Sequence, residues 1–140
     1  MTATEGFVVL IGRVLFAVFF IRSGIAHVRK HVGMKGYAGS AGFPLPEFGG
    51  WPAGVWLLAG GASIALGIWA DLGSLMIALF LVLAALYFHR FWTISDDEQR
   101  QTQASSFYRN VALLGASLAL WGFFVATGDA VRFTLTGPLV

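Results

Sequence analysis

Four apolar stretches, each close to the length that crosses a bilayer, occupy most of this sequence and leave it few possible folds. Spanning hydrocarbon takes roughly 20 apolar residues at 1.5 Å each. The stretches lie at about 7–28, 51–70, 72–91 and 107–127; Arg13 and Arg22 interrupt the first, and the second carries no charge. Helices are the natural form, because an open strand in hydrocarbon leaves its backbone groups unpaired. The stretches also lack the two-residue alternation of a lipid-facing barrel strand. The expected fold is all-α, an integral membrane four-helix bundle in one domain spanning residues 1–140.

Composition points the same way. The chain is 57% hydrophobic and 11% charged, against about 25% charged in a soluble domain. A chain this short buries only about 60–70% of its unfolded surface, so the apolar surplus is expected to face lipid. The nine basic residues are scattered and form no nucleic-acid surface. Cysteine is absent, which excludes disulfides, iron–sulfur ligation and thiol chemistry carried by this chain. The first stretch does not read as a signal peptide, since Arg22, His27, Arg29 and Lys30 lie within or after it and no basic residue precedes it.

The linkers differ in kind. Residues 29–50 are rich in Gly, and Pro44 and Pro46 force extended backbone, so an interfacial loop with a short helical piece before Pro44 is expected. Residues 93–106 are polar, and Ser95 followed by Asp97 and Glu98 resembles a helix start with acids in its first turn. Only Asp71 separates the second and third stretches, which predicts a tight antiparallel hairpin. Arg29, Lys30, Lys35, Arg90 and Arg100 fall in the loops after the first and third stretches, against Arg132 alone on the other side. The excess of Lys and Arg on cytoplasmic loops then places both termini outside the cytoplasm. For packing, Ala59, Ser63 and Gly67 repeat every four residues, as do Gly115 and Ala119, and such small-residue stripes let helices approach closely in lipid.

Two sets of residues stand out as chemistry. Arg13 sits about 9 Å beyond Phe7 at helical rise. An intramembrane charge costs at least ~2.5–3.5 kcal/mol at mid-bilayer and usually faces the bundle. The plainer alternative is an arginine that snorkels to the headgroups, with Asp71 as a partner. The second set gathers at the other helix ends. Ser23 and His27 share one face of the first helix, with Arg13 and Gly24 on nearly the same face. His89 and Trp92 close the third stretch, and Gln103 to Asn110 open the fourth. Two imidazoles, an amide and aromatic rings suit a quinone, with polar hydrogens toward its oxygens and ring faces against its ring. The plainer account is an aromatic belt that anchors helices at the membrane surface. His27, His31 and His89 show no metal-binding spacing, and no nucleophile, phosphate-loop or dinucleotide motif occurs.

These features resemble the DoxX family. Gly12-Arg13 opening an apolar run, then Ser23-Gly24 and a basic residue near 27, is similar to that family's first helix. Gly42-Phe43-Pro44-Leu45-Pro46 resembles its element before the second helix, and Gly60-Gly61 with Gly67 its second-helix glycines. Phe88-His89-Arg90-Phe91-Trp92, followed by a Gln-rich stretch and then Phe107 and Asn110, is the most specific likeness. The resemblance implies a small multi-pass protein of the bacterial inner membrane, tied to redox and sulfur metabolism through a thiosulfate:quinone oxidoreductase-associated subunit. Many relatives carry an acid where this chain has Leu57, so Arg13 needs another partner here.

The leading expectation is a membrane component of a redox system with a quinone-like site drawn from Arg13, Ser23, His27, His89, Trp92 and Asn110. No residue is assigned as catalytic or as a metal ligand. The alternative is an accessory or assembly subunit that docks an oxidoreductase partner. A transporter ranks third, because a substrate path would require a homo-oligomer. A cavity reached by Arg13 or His27 favours the first reading, and a bundle filled by its own side chains favours the second.

Overall fold

A computed structural model describes all 140 residues, and it is helical with no strand. It contains five α-helices, one more than the four expected: α1 (Ala3–Arg29), α2 (His31–Ser40), α3 (Trp51–Leu66), α4 (Ala70–Phe88) and α5 (Asp97–Thr127). The extra one, α2, is the short helical piece expected before Pro44, here a helix of 10 residues. Of the five, α1, α4 and α5 are long and apolar enough to cross a membrane.

Local chemistry explains where the helices begin and end. Thr2 and Glu5 form a reciprocal cap at the start of α1, with the Thr2 amide donating to Glu5 Oε2 at 2.7 Å. At α5 the cap is Asp96 rather than Ser95, and its carboxylate accepts from the Gln99 amide at 2.9 Å. This start lies ten residues before the apolar stretch, so α5 runs well past the expected bound of 107. Its 31 residues span about 46 Å at helical rise.

The apolar helix α3 stops short of the expected residue 70. Gly67 takes φ 66°, in the left-handed region open to glycine, and the Ile68 amide closes back on Ser63 O at 3.0 Å. Its 16 residues cover about 24 Å, less than the ~30 Å hydrocarbon core. The hairpin link is therefore 67–69, and Asp71 belongs to the first turn of α4.

Packing runs in a row. α1 packs on α3, α3 on α4 and α4 on α5, while α1 and α5 make no comparably close backbone approach. Gly24 of α1 and Gly54 of α3 sit so near that a Cβ on either would lie 2.8 Å from the other's carbonyl oxygen. Gly61 backs onto Ile21 and Gly60 onto Ile77. Phe20, Leu57, Ile64, Ile77 and Leu81 form the core between these helices. Val8, Ile11, Leu15 and Val18 remain exposed, as a lipid-facing stripe would be. The small residues expected to mediate packing divide. Gly67 and Ser63 are used, but Ala59, Gly115 and Ala119 are exposed, and nothing approaches Gly115.

Candidate functional site

The two ends of the bundle are built differently. At one end the chain after α5 folds back over the helices. Leu135 and Thr136 donate backbone hydrogens to Gly67 O, and Thr136 Oγ1 accepts from the Trp69 amide at 2.9 Å. Asp71, fully buried, accepts from the amides of Leu139 and Val140 at 2.9–3.1 Å. Arg13 is 1% exposed and lies here too. Its Nη2 donates to Phe133 O at 2.7 Å and to Ala65 O at 3.2 Å, while Nε and Nη1 have no partner in the chain. Arg13 thus turns inward, as one of its two sequence readings required. Its partners are backbone carbonyls, not Asp71. Leu57 is a core side chain.

At the other end, α2 and the turn at Pro46–Gly49 cover the helices. Gly50 lies tight against His31 O, where a Cβ would sit 2.9 Å from that oxygen. Three residue pairs fasten this cover to the end of α4. Tyr37 Oη donates to Phe88 O at 3.2 Å and its ring stacks on Phe88 at 5.4 Å, Phe43 meets Tyr87 edge-on at 5.1 Å, and Arg90 Nη2 donates to Ala41 O at 2.6 Å.

Beneath the cover lies a cavity of about 470 Å³, within the ordinary size range of small-molecule sites. Its walls are mainly apolar and aromatic, with Phe19, Phe20, Trp56, Phe80 and Phe88 among them. Ser23 and His27 of α1, His89 just past α4, and Asn110 of α5 supply polar groups. All four residues line this one cavity. His27 packs edge-on against Phe80 at 5.9 Å, and His89 Nδ1 lies 2.9 Å from Gln103 Oε1 of α5. Arg109 also lines the cavity, with its guanidinium 6.0 Å from the centre of the Phe19 ring across the α1–α5 seam.

Hydrogen bonding fixes what these groups offer. His27 Nδ1 is 3.0 Å from Ser23 O, a carbonyl that only accepts, so Nδ1 carries the hydrogen. His89 Nδ1 faces the Gln103 side-chain amide. Asn110 is 6% exposed, and it lines the cavity.

The remaining two candidates lie elsewhere. Arg13 is fourteen residues from His27 along α1, about 21 Å at helical rise. Trp92 is 54% exposed and meets Phe91 and Phe107 edge-on outside the cavity, at 5.3 and 5.6 Å. The helix was expected to run to residue 91, but it ends at Phe88, and a tight turn at Phe91–Thr93 carries the indole away.

The DoxX family model matches residues 8–90, more than half of the chain. The chain belongs to the DoxX family. The matched region takes in most of α1 and all of α2 to α4 of this DoxX protein, including Arg13, Ser23, His27 and His89, while α5, with Arg109 and Asn110, lies beyond it. No curated protein and no solved structure matches the chain. With three helices long and apolar enough to span, this DoxX chain is a membrane protein.

Proposed function

We propose that this DoxX protein is a membrane component of a redox system that binds a quinone-like ring at the His27–His89 end of its helices. One observation carries the reading: an apolar cavity of about 470 Å³ receives Ser23, His27, His89 and Asn110 from three separate elements. The aromatic walls match a flat ring, and the few polar groups match its ring oxygens. A bundle filled by its own side chains would have supported an accessory role instead. The protein would sit in the bacterial inner membrane with the α2 cover and the 93–106 loop in the cytoplasm, following the Lys and Arg count.

The second reading, an accessory subunit, draws on α5. Gly115 and Ala119 face outward and serve no packing within the chain. Native purification in mild detergent separates the two. Solvent extraction followed by mass spectrometry should recover an isoprenoid quinone or a related ring at near-stoichiometric yield. A preparation free of any such ring, with a second protein retained instead, would favour the accessory reading.

A further inference from the structure

The cavity has one permanent charge. Arg109 of α5 lines it while no Asp, Glu or Lys does, and the arginine is exposed, which puts its charge at the rim. No carboxylate of the chain answers it. The two ion pairs join Lys35 to Glu47 and Arg100 to Asp97. Asp96 accepts from the Gln99 amide at the start of α5. Glu98 precedes Arg109 by eleven residues on that helix, about 16 Å at helical rise. What the guanidinium does meet is the Phe19 ring at 6.0 Å, the outer limit of a cation–π attraction. That contact leaves the planar fork of N–H donors that matches a carboxylate. Asn110 and the Ser23 hydroxyl line the same cavity, and both can donate as well.

From this placement, and resting on the ring-binding reading above, we propose that the cavity takes an acidic ring, one whose ionised oxygen group pairs with Arg109. A ring carboxylate or an acidic ring hydroxyl has that chemistry. The apolar body of the ligand sits among Phe19, Phe20, Phe80 and Phe88, and its anion stays at the rim. An uncharged ring would fill the same apolar walls but leave the guanidinium without a counterion. A charge-assisted hydrogen bond is roughly twice as strong as a neutral one, and apolar walls reduce the screening by water. The lining holds no acid to repel such a group. Ligand charge is therefore what this site selects, whether the ring is oxidised or reduced.

Titration calorimetry on the full chain in a non-ionic detergent tests this at neutral pH and low salt. The two probes are a hydroxynaphthoquinone, ionised at that pH, and its uncharged methyl ether. The ionised probe should bind about fivefold tighter or better, and added salt should shrink that margin. Arg109→Gln should bring the two affinities together, and Arg109→Lys should keep part of the margin. Arg100→Gln, on the same helix but outside the cavity, should leave it unaltered. Far-UV circular dichroism checks that each variant is folded, and the salt dependence of the parent needs no variant. Equal affinities in the parent, or a margin that survives Arg109→Gln, would overturn the acidic-ring assignment while leaving ring binding in place. Displacement of the ionised probe by an equal concentration of short-chain phosphatidylglycerol would also overturn it, giving Arg109 to a lipid phosphate. Failure of both probes to bind would remove the ring-binding reading and this assignment with it.

Discussion

Arg13 and Phe133 are joined by a 2.7 Å hydrogen bond across 120 positions of sequence, from the α1 guanidinium to a backbone carbonyl beyond α5. The bond holds the first helix to the segment that closes this end of the bundle. Asp71 does the same from α4, with three contacts to the Leu139 and Val140 amides. Two buried charges of opposite sign thus serve one purpose, and neither pairs with the other. Asp71 is answered by backbone amides, while Arg13 meets backbone carbonyls through Nη2 alone.

Removing either charge should release the segment. Asp71→Asn and Arg13→Met are expected to cost its docking about 1.5–3 kcal/mol, the usual worth of hydrogen bonds to a charged group. Hydrogen exchange at Leu135 to Val140 should quicken at least tenfold while the helices keep their protection. Unchanged exchange in both variants would mean that Leu135 and Thr136, bonded to Gly67, hold the segment without help.

The close helix approach makes a sharper prediction about glycines. Gly24→Ile should destabilise the bundle by about 1–3 kcal/mol through overpacking against Gly54 and Leu58. Gly115→Ile should fall within about 0.5 kcal/mol of the parent, because nothing lies near it. Unfolding midpoints in mixed micelles compare the two. Equal losses would place Gly115 at a contact with another chain.

Much of this was legible in the sequence, and the misses have physical causes. Apolar length located the helices, because a bilayer imposes a minimum span. Helical period placed Arg13 on the face that carries Gly24 and lies near Ser23 and His27. A shared face is not a shared depth, however, and about 21 Å of helix separates Arg13 from His27. Trp92 was misplaced because one backbone break at His89 redirects everything after it. The fold-back of residues 131–140 onto Arg13 and Asp71 leaves no local signal at all. It rests on contacts between positions 68 to 120 residues apart.

The cover over the cavity should act as a gate. Arg90 Nη2 pins Ala41 O, and Tyr37 pins Phe88. Arg90→Ala is expected to speed ligand release about three- to tenfold with a smaller effect on association, since one exposed charge-assisted bond is lost. Stopped-flow displacement of a bound ring analogue reads this directly. An unaltered release rate would show that the ligand leaves through the α1–α5 seam and not past α2.

Charge asymmetry predicts the topology. Single cysteines at Lys35 and Glu98 should react with a membrane-impermeant maleimide only after cells are opened. A cysteine at Val140 should react in intact spheroplasts. The opposite pattern would invert the orientation drawn from the Lys and Arg count.

The central claim is that the cavity binds a ring, and Trp56 in its wall provides the reporter. Titrating the purified protein with a short-chain quinone should quench tryptophan fluorescence in a saturable manner. His89→Ala and Asn110→Ala should each raise the apparent Kd about five- to tenfold, and Trp56→Phe should remove most of the saturable signal. Quenching that never saturates, or that all three substitutions leave unchanged, would contradict the claim and return these side chains to the anchoring of helices at the membrane surface.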